Sequence, residues 1–181
     1  MLDQAQRELL LSRIRDIPDW PKPGVVFKDI TPLLADPVAF DTAVAGLAAA
    51  GRDTAGNVVV DTVVGIEARG FILAAPVAQL LHASFVPVRK AGKLPYETRS
   101  ASYDLEYGQE TIEVHVDAFR PDARVLVVDD VLATGGTVEA TAGLVVGAGA
   151  QVVAVSVLMA LGFLGGRDRL GNLDVQVLLE I

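Results

Sequence analysis

Four consecutive branched apolar residues, Val125 to Val128, run without alternation into two adjacent carboxylates, Asp129 and Asp130. A strand that is apolar at every position is buried on both faces, as in a parallel sheet covered by helices. This one stretch therefore predicts an α/β fold: a mainly parallel sheet flanked by helices. After the carboxylates comes a short loop closing on Ala133-Thr134-Gly135-Gly136-Thr137, then a Gly/Ala/Val-rich segment to Gly147 that reads as a helix. A Gly-Gly loop opening a helix presents free backbone N–H groups and the positive end of the helix dipole, which suits an anion. Thr134 and Thr137 add hydroxyl donors, so the expected guest is a phosphate.

Two acids beside a phosphate cradle would repel the guest unless they face another part of it. Ribose hydroxyls donate well to carboxylates, and a divalent cation also suits them. A sugar phosphate satisfies both halves of the motif. A Walker loop is excluded because no Gly-x-x-x-x-Gly-Lys-Ser/Thr occurs. A dinucleotide fingerprint is excluded too, because Gly147-Ala148-Gly149 leads into Ala150, Gln151 and a strand rather than a helix.

The stretch resembles the phosphoribosyl-diphosphate (PRPP) signature of the type I phosphoribosyltransferases. Four further segments are similar to the adenine-using branch of that family: Pro23-Gly24-Val25-Val26-Phe27-Lys28-Asp29-Ile30, Glu67-Ala68-Arg69-Gly70-Phe71, Arg89-Lys90-Ala91-Gly92-Lys93-Leu94-Pro95 and Ser102-Tyr103-Asp104-Leu105-Glu106-Tyr107-Gly108. Together they cover nearly the whole chain in the expected order. The resemblance implies transfer of phosphoribosyl from PRPP to adenine, giving AMP and diphosphate. It implies that Asp129 and Asp130 take the ribose hydroxyls and Ala133, Thr134, Gly135, Gly136 and Thr137 the 5-phosphate. Ala68, Arg69 and Gly70, with Arg89, Lys90 and Lys93, would take the diphosphate, at a loop where relatives often carry a non-proline cis peptide. Val26, Phe27 and Lys28 would line the adenine pocket, Phe27 stacking on the purine, with Leu164 closing it from the far side. Relatives usually carry Arg where this chain has Lys28. The change should matter little if backbone atoms read the base. Glu106 would manage the purine proton, and Arg69 is its expected partner in catalysis. Mg²⁺ is expected through PRPP oxygens and water, with no metal site built from protein ligands, and a homodimer is implied by the resemblance alone.

Composition limits the rest. A chain of 181 residues fits one domain with a full core. The absence of Cys excludes disulfides and thiolate metal sites. Net charge is −8 and the pI is near 4.7, which disfavours a nucleic-acid surface. Arg69, Arg89, Lys90 and Lys93 can still concentrate positive charge locally for an anionic substrate. Met1 to Ile14 is too charged for a secretory core, so a cytoplasmic protein is expected. From Ala140 to Gly166 no charged residue occurs, a length that could span a bilayer. Gly147-Ala148-Gly149-Ala150 breaks it, and a helix followed by a buried strand explains it better than a membrane span.

In chain order, helices are expected over Asp3–Arg15, from Asp36-Pro37 to a stop at Gly51, and over Phe71–Leu81. Strands are expected over Val58–Val64, Ser84–Val88, Thr111–Val116, Val152–Met159 and Leu173–Leu179. The prolines at 18, 21 and 23 should force an extended passage. Pro76 is tolerable only near the first turns of its helix. Residues 91–108 lack an apolar period and read as a flexible functional lid. A small hood is expected from about 18–35 and from the loop at 160–170. An oxopurine or orotate transferase and a PRPP-sensing regulator on the same fold are the rival readings. The regulator would need an appended DNA-binding module, whereas the enzyme-like motifs here begin by residue 23.

Overall fold

Asp3 sets the first helix by reciprocal capping. Its carboxylate accepts the Gln6 N–H at 2.8 Å while the Gln6 side chain accepts the Asp3 N–H at 3.0 Å. The computed structural model describes residues 2–105 and 108–181. Helix α1 (Gln4–Ser12) buries Leu10 and stops short of the expected Arg15. The chain leaves the helix because Arg15 is needed elsewhere, in β1 (Arg15–Ile17), which pairs antiparallel with β2 (Phe27–Asp29). Arg15 faces Asp29 and Asp16 faces Lys28 across this hairpin, and both pairs close as ion pairs. The proline-rich passage is therefore a hairpin connection, with a cis bond at Trp20–Pro21, rather than a simple extended run.

Helix α2 (Thr31–Ala35) leads to Asp36, whose carboxylate caps α3 (Pro37–Ala48) through the N–H groups of Val38 and Ala39. A single 3₁₀ turn carries α3 on to Gly51. Strand β3 (Thr62–Ile66) begins four residues later than the sequence suggests. Val58 instead bridges back to Arg52, and Asp61 receives the Arg124 N–H at the sheet's entrance. Helix α4 (Arg69–Leu81) starts two residues early, which puts Pro76 in its interior. Proline supplies no N–H to the Ile72 carbonyl one turn back, and Ile72 is an exposed residue.

Strands β4 (Ser84–Lys90), β5 (Thr98–Leu105), β6 (Gly108–His115) and β7 (Arg124–Leu132) follow, then α5 (Gly136–Gly147), β8 (Gln151–Ala160), the short α6 (Gly166–Arg169) and β9 (Val175–Glu180). The main sheet runs β5-β6-β4-β3-β7-β8-β9, parallel from β4 to β9 with the β5–β6 hairpin antiparallel at one edge. Much of the segment 91–108, expected to be an irregular lid, is thus a paired strand. Ala101 and Tyr103 turn inward, while the Ser102 and Thr111 hydroxyls meet at 2.8 Å. Such small and polar inward positions hide the period of two.

The central strand explains its own sequence. Leu126 and Val128 pack into the layer of α1, α3 and α4, with Leu47, Leu73 and Leu158. Val125 and Val127 pack into the layer of α5, with Val138, Val145 and Val157. Each fully buried side chain of this size contributes about 1.5–3 kcal/mol. The uncharged run from Ala140 resolves into α5 and β8, and among the described residues no helix is long and apolar enough to cross a membrane.

Candidate active site

The two carboxylates do not end their strand. Strand β7 continues through Asp129 and Asp130 to Leu132, so the loop expected to hold a phosphate is only Ala133–Gly135 before α5 begins. Gly135 takes φ +82° at the helix entrance, and a Cβ there would lie 2.6 Å from the Gly166 carbonyl oxygen. The loop at 160–170 thus packs its backbone onto the cradle. Gly70, at the start of α4, is equally confined, since a Cβ would lie 2.7 Å from Asp129 Oδ1. Parallel-sheet topology brings the loops after β3 and β7 to one edge, where open α/β sheets hold ligands.

A cavity of about 490 Å³ opens at that edge. It brings together Ala68, Arg69, Lys90, Asp129, Asp130, Ala133, Thr134, Gly135 and Thr137. Glu67, Tyr103 and Glu110 also line it, and none of them was expected there. Burial pushes the Asp129 carboxyl well up, and the neighbouring Asp130 charge adds to this. Burial raises Asp130 as well, against the pull of the Arg69 guanidinium.

The cations expected at the diphosphate are already paired. Arg89 Nε lies 3.3 Å from Glu67 and Lys93 Nζ 2.5 Å from it, while the Lys90 N–H donates to the same carboxylate at 3.0 Å. The Lys90 ammonium meets Glu110 at 3.0 Å. Burial alone would raise Glu67, but Lys93, the Lys90 N–H and Arg89 together hold it below the usual range. The Glu67–Ala68 peptide is cis. Glu67 was legible as part of its motif but carries no signal that it gathers Arg89 of β4 and Lys93 just beyond that strand.

Arg69 is not a free cation either. Its Nη2 lies 2.7 Å from Asp130 Oδ2, its Nη1 donates to the Lys28 carbonyl at 3.1 Å, and its guanidinium sits 4.7 Å above the Phe27 ring. Trp20 meets the same ring edge-on at 4.4 Å. The Lys28 ammonium turns away to Asp16 at 2.8 Å, so its side chain leads off from the expected base pocket. Val26 is exposed and Leu164 half-buried. Neither they nor Phe27, Lys28, Arg89 and Lys93 line the cavity of the two aspartates. Glu106 lies outside the described residues.

One cavity at the sheet edge thus joins a Gly-Gly loop at a helix entrance, two adjacent carboxylates and the loop after β3, the arrangement that the phosphoribosyltransferase resemblance predicts. Residues 34–171 match the phosphoribosyl transferase domain family. The adenine phosphoribosyltransferase of Frankia alni is 60% identical over 177 residues, 98% of this chain and 92% of that protein. The enzyme of that name from Streptomyces coelicolor is 63% identical over 163 residues, 90% of this chain and 87% of the relative. Among solved structures, the adenine phosphoribosyltransferase of Rhodothermus marinus superposes with a TM-score of 0.92 at 48% identity, covering 99% of this chain and 100% of the other. This chain belongs to the adenine phosphoribosyltransferase family of type I phosphoribosyltransferases.

Proposed function

We propose that the protein transfers the phosphoribosyl group of PRPP to adenine, releasing AMP and diphosphate as a purine salvage step. The observation that carries this reading is the cavity in which Asp129 and Asp130 meet the loop from Ala133 to Thr137. Its size is typical of small-molecule sites. The yeast adenine phosphoribosyltransferase, 34% identical with a TM-score of 0.91, was solved with adenine and an imino-altritol bisphosphate.

In this reading the 5-phosphate sits on Ala133, Thr134, Gly135, Gly136 and Thr137, and the ribose hydroxyls donate to Asp129 and Asp130. The diphosphate is held at Ala68, Arg69, Gly70 and Lys90, with Arg89 and Lys93 behind Glu67. Adenine lies against Val26, Phe27, the Lys28 backbone and Leu164. The C1–oxygen bond breaks and its electron pair leaves on the diphosphate. Positive charge develops at C1 and the ring oxygen, and a purine nitrogen forms the new bond. Glu106 takes the proton that the purine gives up. The protein's part is to place the reactants, exclude water and stabilise the departing charge.

Along the cavity wall the carboxylates of Glu67, Glu110, Asp129 and Asp130 outnumber the cations Arg69 and Lys90. A polyanion entering such a site brings its own counter-charge, which fits Mg²⁺. Among the described residues no group of three acids or histidines could cage a metal. PRPP oxygens and water, with Asp129 and Asp130 nearby, would hold the ion, and it would neutralise the leaving diphosphate. A homodimer is part of this reading, measurable by sedimentation. A cytoplasmic setting fits this metabolism.

Turnover with a panel of bases tests the reading. Adenine should be used at least ~100-fold better than hypoxanthine, because a mispaired buried polar group is costly. Comparable rates for the two bases would move the assignment to an oxopurine enzyme.

Binding should also expel protons. Asp129 and Asp130 titrate as an interacting pair in the ligand-free protein, with pKa values above the usual carboxylate range, Asp129 the more strongly and Asp130 held back by Arg69. The pair keeps a proton to higher pH than ordinary carboxylates do. Hydroxyl donors favour the ionised form and lower those values on binding. PRPP affinity should therefore climb with pH towards the raised values and level off above them. Calorimetry in buffers of different ionisation enthalpy should detect net proton release, reduced in Asp129→Asn. Proton uptake would contradict the ribose assignment.

A further inference from the structure

We infer that Arg69 is a positioning residue that ties the ribose carboxylate Asp130 to the strand that reads the base. This rests on the function proposed above. Arg69 opens α4, so the helix fixes its backbone between the two halves of the site. From there one guanidinium reaches three groups on two other elements: Asp130 on β7, and the Lys28 carbonyl and Phe27 ring on β2. One terminal nitrogen donates to the Lys28 carbonyl, and the other forms the ion pair with Asp130.

The geometry gives each contact a consequence. Asp130 Oδ2 is enclosed and has no aligned hydrogen bond among the described residues, so the ion pair with Arg69 is what offsets its burial. The bond to the Lys28 carbonyl fixes the peptide next to the backbone that would read the purine edge. The stack on Phe27, with Trp20 against the same ring, fixes the surface on which the purine would lie. Loss of this bridge frees the β1–β2 hairpin to shift against β7, and so shifts adenine against the C1 atom of PRPP.

Lysine cannot replace it. A planar fork donates in two directions while stacking flat, whereas an ammonium is one point charge that does neither together. Arg69→Lys keeps the charge that Asp130 requires, which guards the fold against an uncompensated buried carboxylate.

The test separates the base from the diphosphate. KM for adenine at saturating PRPP, KM for PRPP, and KM for diphosphate in the reverse reaction with AMP are measured for the parent and Arg69→Lys. Adenine KM should rise about 10–100-fold, the scale of a misplaced reactant, and the other two by clearly less, because lysine keeps the positive charge that Arg69 offers the diphosphate. Phe27→Leu probes the same link from the base side. It should raise adenine KM by itself, and adding Arg69→Lys should then cost less than Arg69→Lys alone. An unmoved adenine KM, a diphosphate KM that rises at least as much, or full additivity of the two variants overturns the inference. A parent enzyme that does not turn over adenine fails the proposed function instead.

Discussion

Gly135→Val should abolish useful PRPP binding, with affinity falling about 10²–10⁴-fold as two or more charge-assisted bonds to the phosphate are lost. Two independent constraints act at this position. Its φ of +82° is one that β-branched residues rarely adopt, and any Cβ would lie 2.6 Å from the Gly166 carbonyl oxygen. The Gly166 carbonyl is backbone, not a flexible side chain that could swing aside. The loop must move, and the N–H groups at the start of α5 move with it. Gly135→Ala meets the same Cβ clash and should also lose affinity. Gly143→Ala, in the same helix with nothing within 4 Å of the added carbon, should leave binding unchanged and serves as the control. Calorimetry with PRPP decides: affinity near the parent's in Gly135→Val would remove this loop from the phosphate site.

Why the cradle was legible while its surroundings were not follows from what each depends on. The run Val125–Val128, the paired aspartates and the Gly-Gly turn are local. Their meaning lies in the order of residues along one strand and one turn, and the fold places them together. Even there the strand end was misplaced, because Val131 and Leu132 extend the pairing with β8 past the carboxylates. Asp36-Pro37 was legible for the same local reason, since a cap and a first-turn proline need only their neighbours.

The partnerships were not legible, because they join residues far apart in sequence. Glu67 gathers cations more than twenty positions away, and Arg69 reaches back to Lys28 across forty-one. Four basic residues in a sequence do not reveal that each already faces an acid or a carbonyl. Strand β5 was hidden for a different reason. Its inward positions include Ala101 and Tyr103 among polar neighbours, and its stability comes from register with β6 rather than from any apolar period of its own. Strand propensity depends on such pairing more than on intrinsic preference.

Glu106→Gln should lower kcat by about 10²–10⁴-fold, the usual contribution of a positioned acid or base. When the purine nitrogen attacks C1, adenine must give up a proton, and the proposed reading gives that proton to Glu106. Glutamine preserves the size and hydrogen-bonding reach of the side chain but can neither accept a proton nor carry a charge. PRPP affinity should barely change, because Asp129, Asp130 and the loop from Ala133 to Thr137 are untouched. Glu106→Leu should be no less damaging, since it also removes a hydrogen bond to the base. If Glu106 were instead a solvated surface residue, both variants would stay within about threefold of the parent, as surface substitutions away from such machinery commonly do. Steady-state rates for the two variants, with PRPP binding measured separately, distinguish the cases. A Gln variant near full activity would take Glu106 out of the mechanism. Charge stabilisation at the leaving diphosphate would then be the main source of rate, and the ion pairs that Glu67 makes with Arg89 and Lys93 become the next place to look for it.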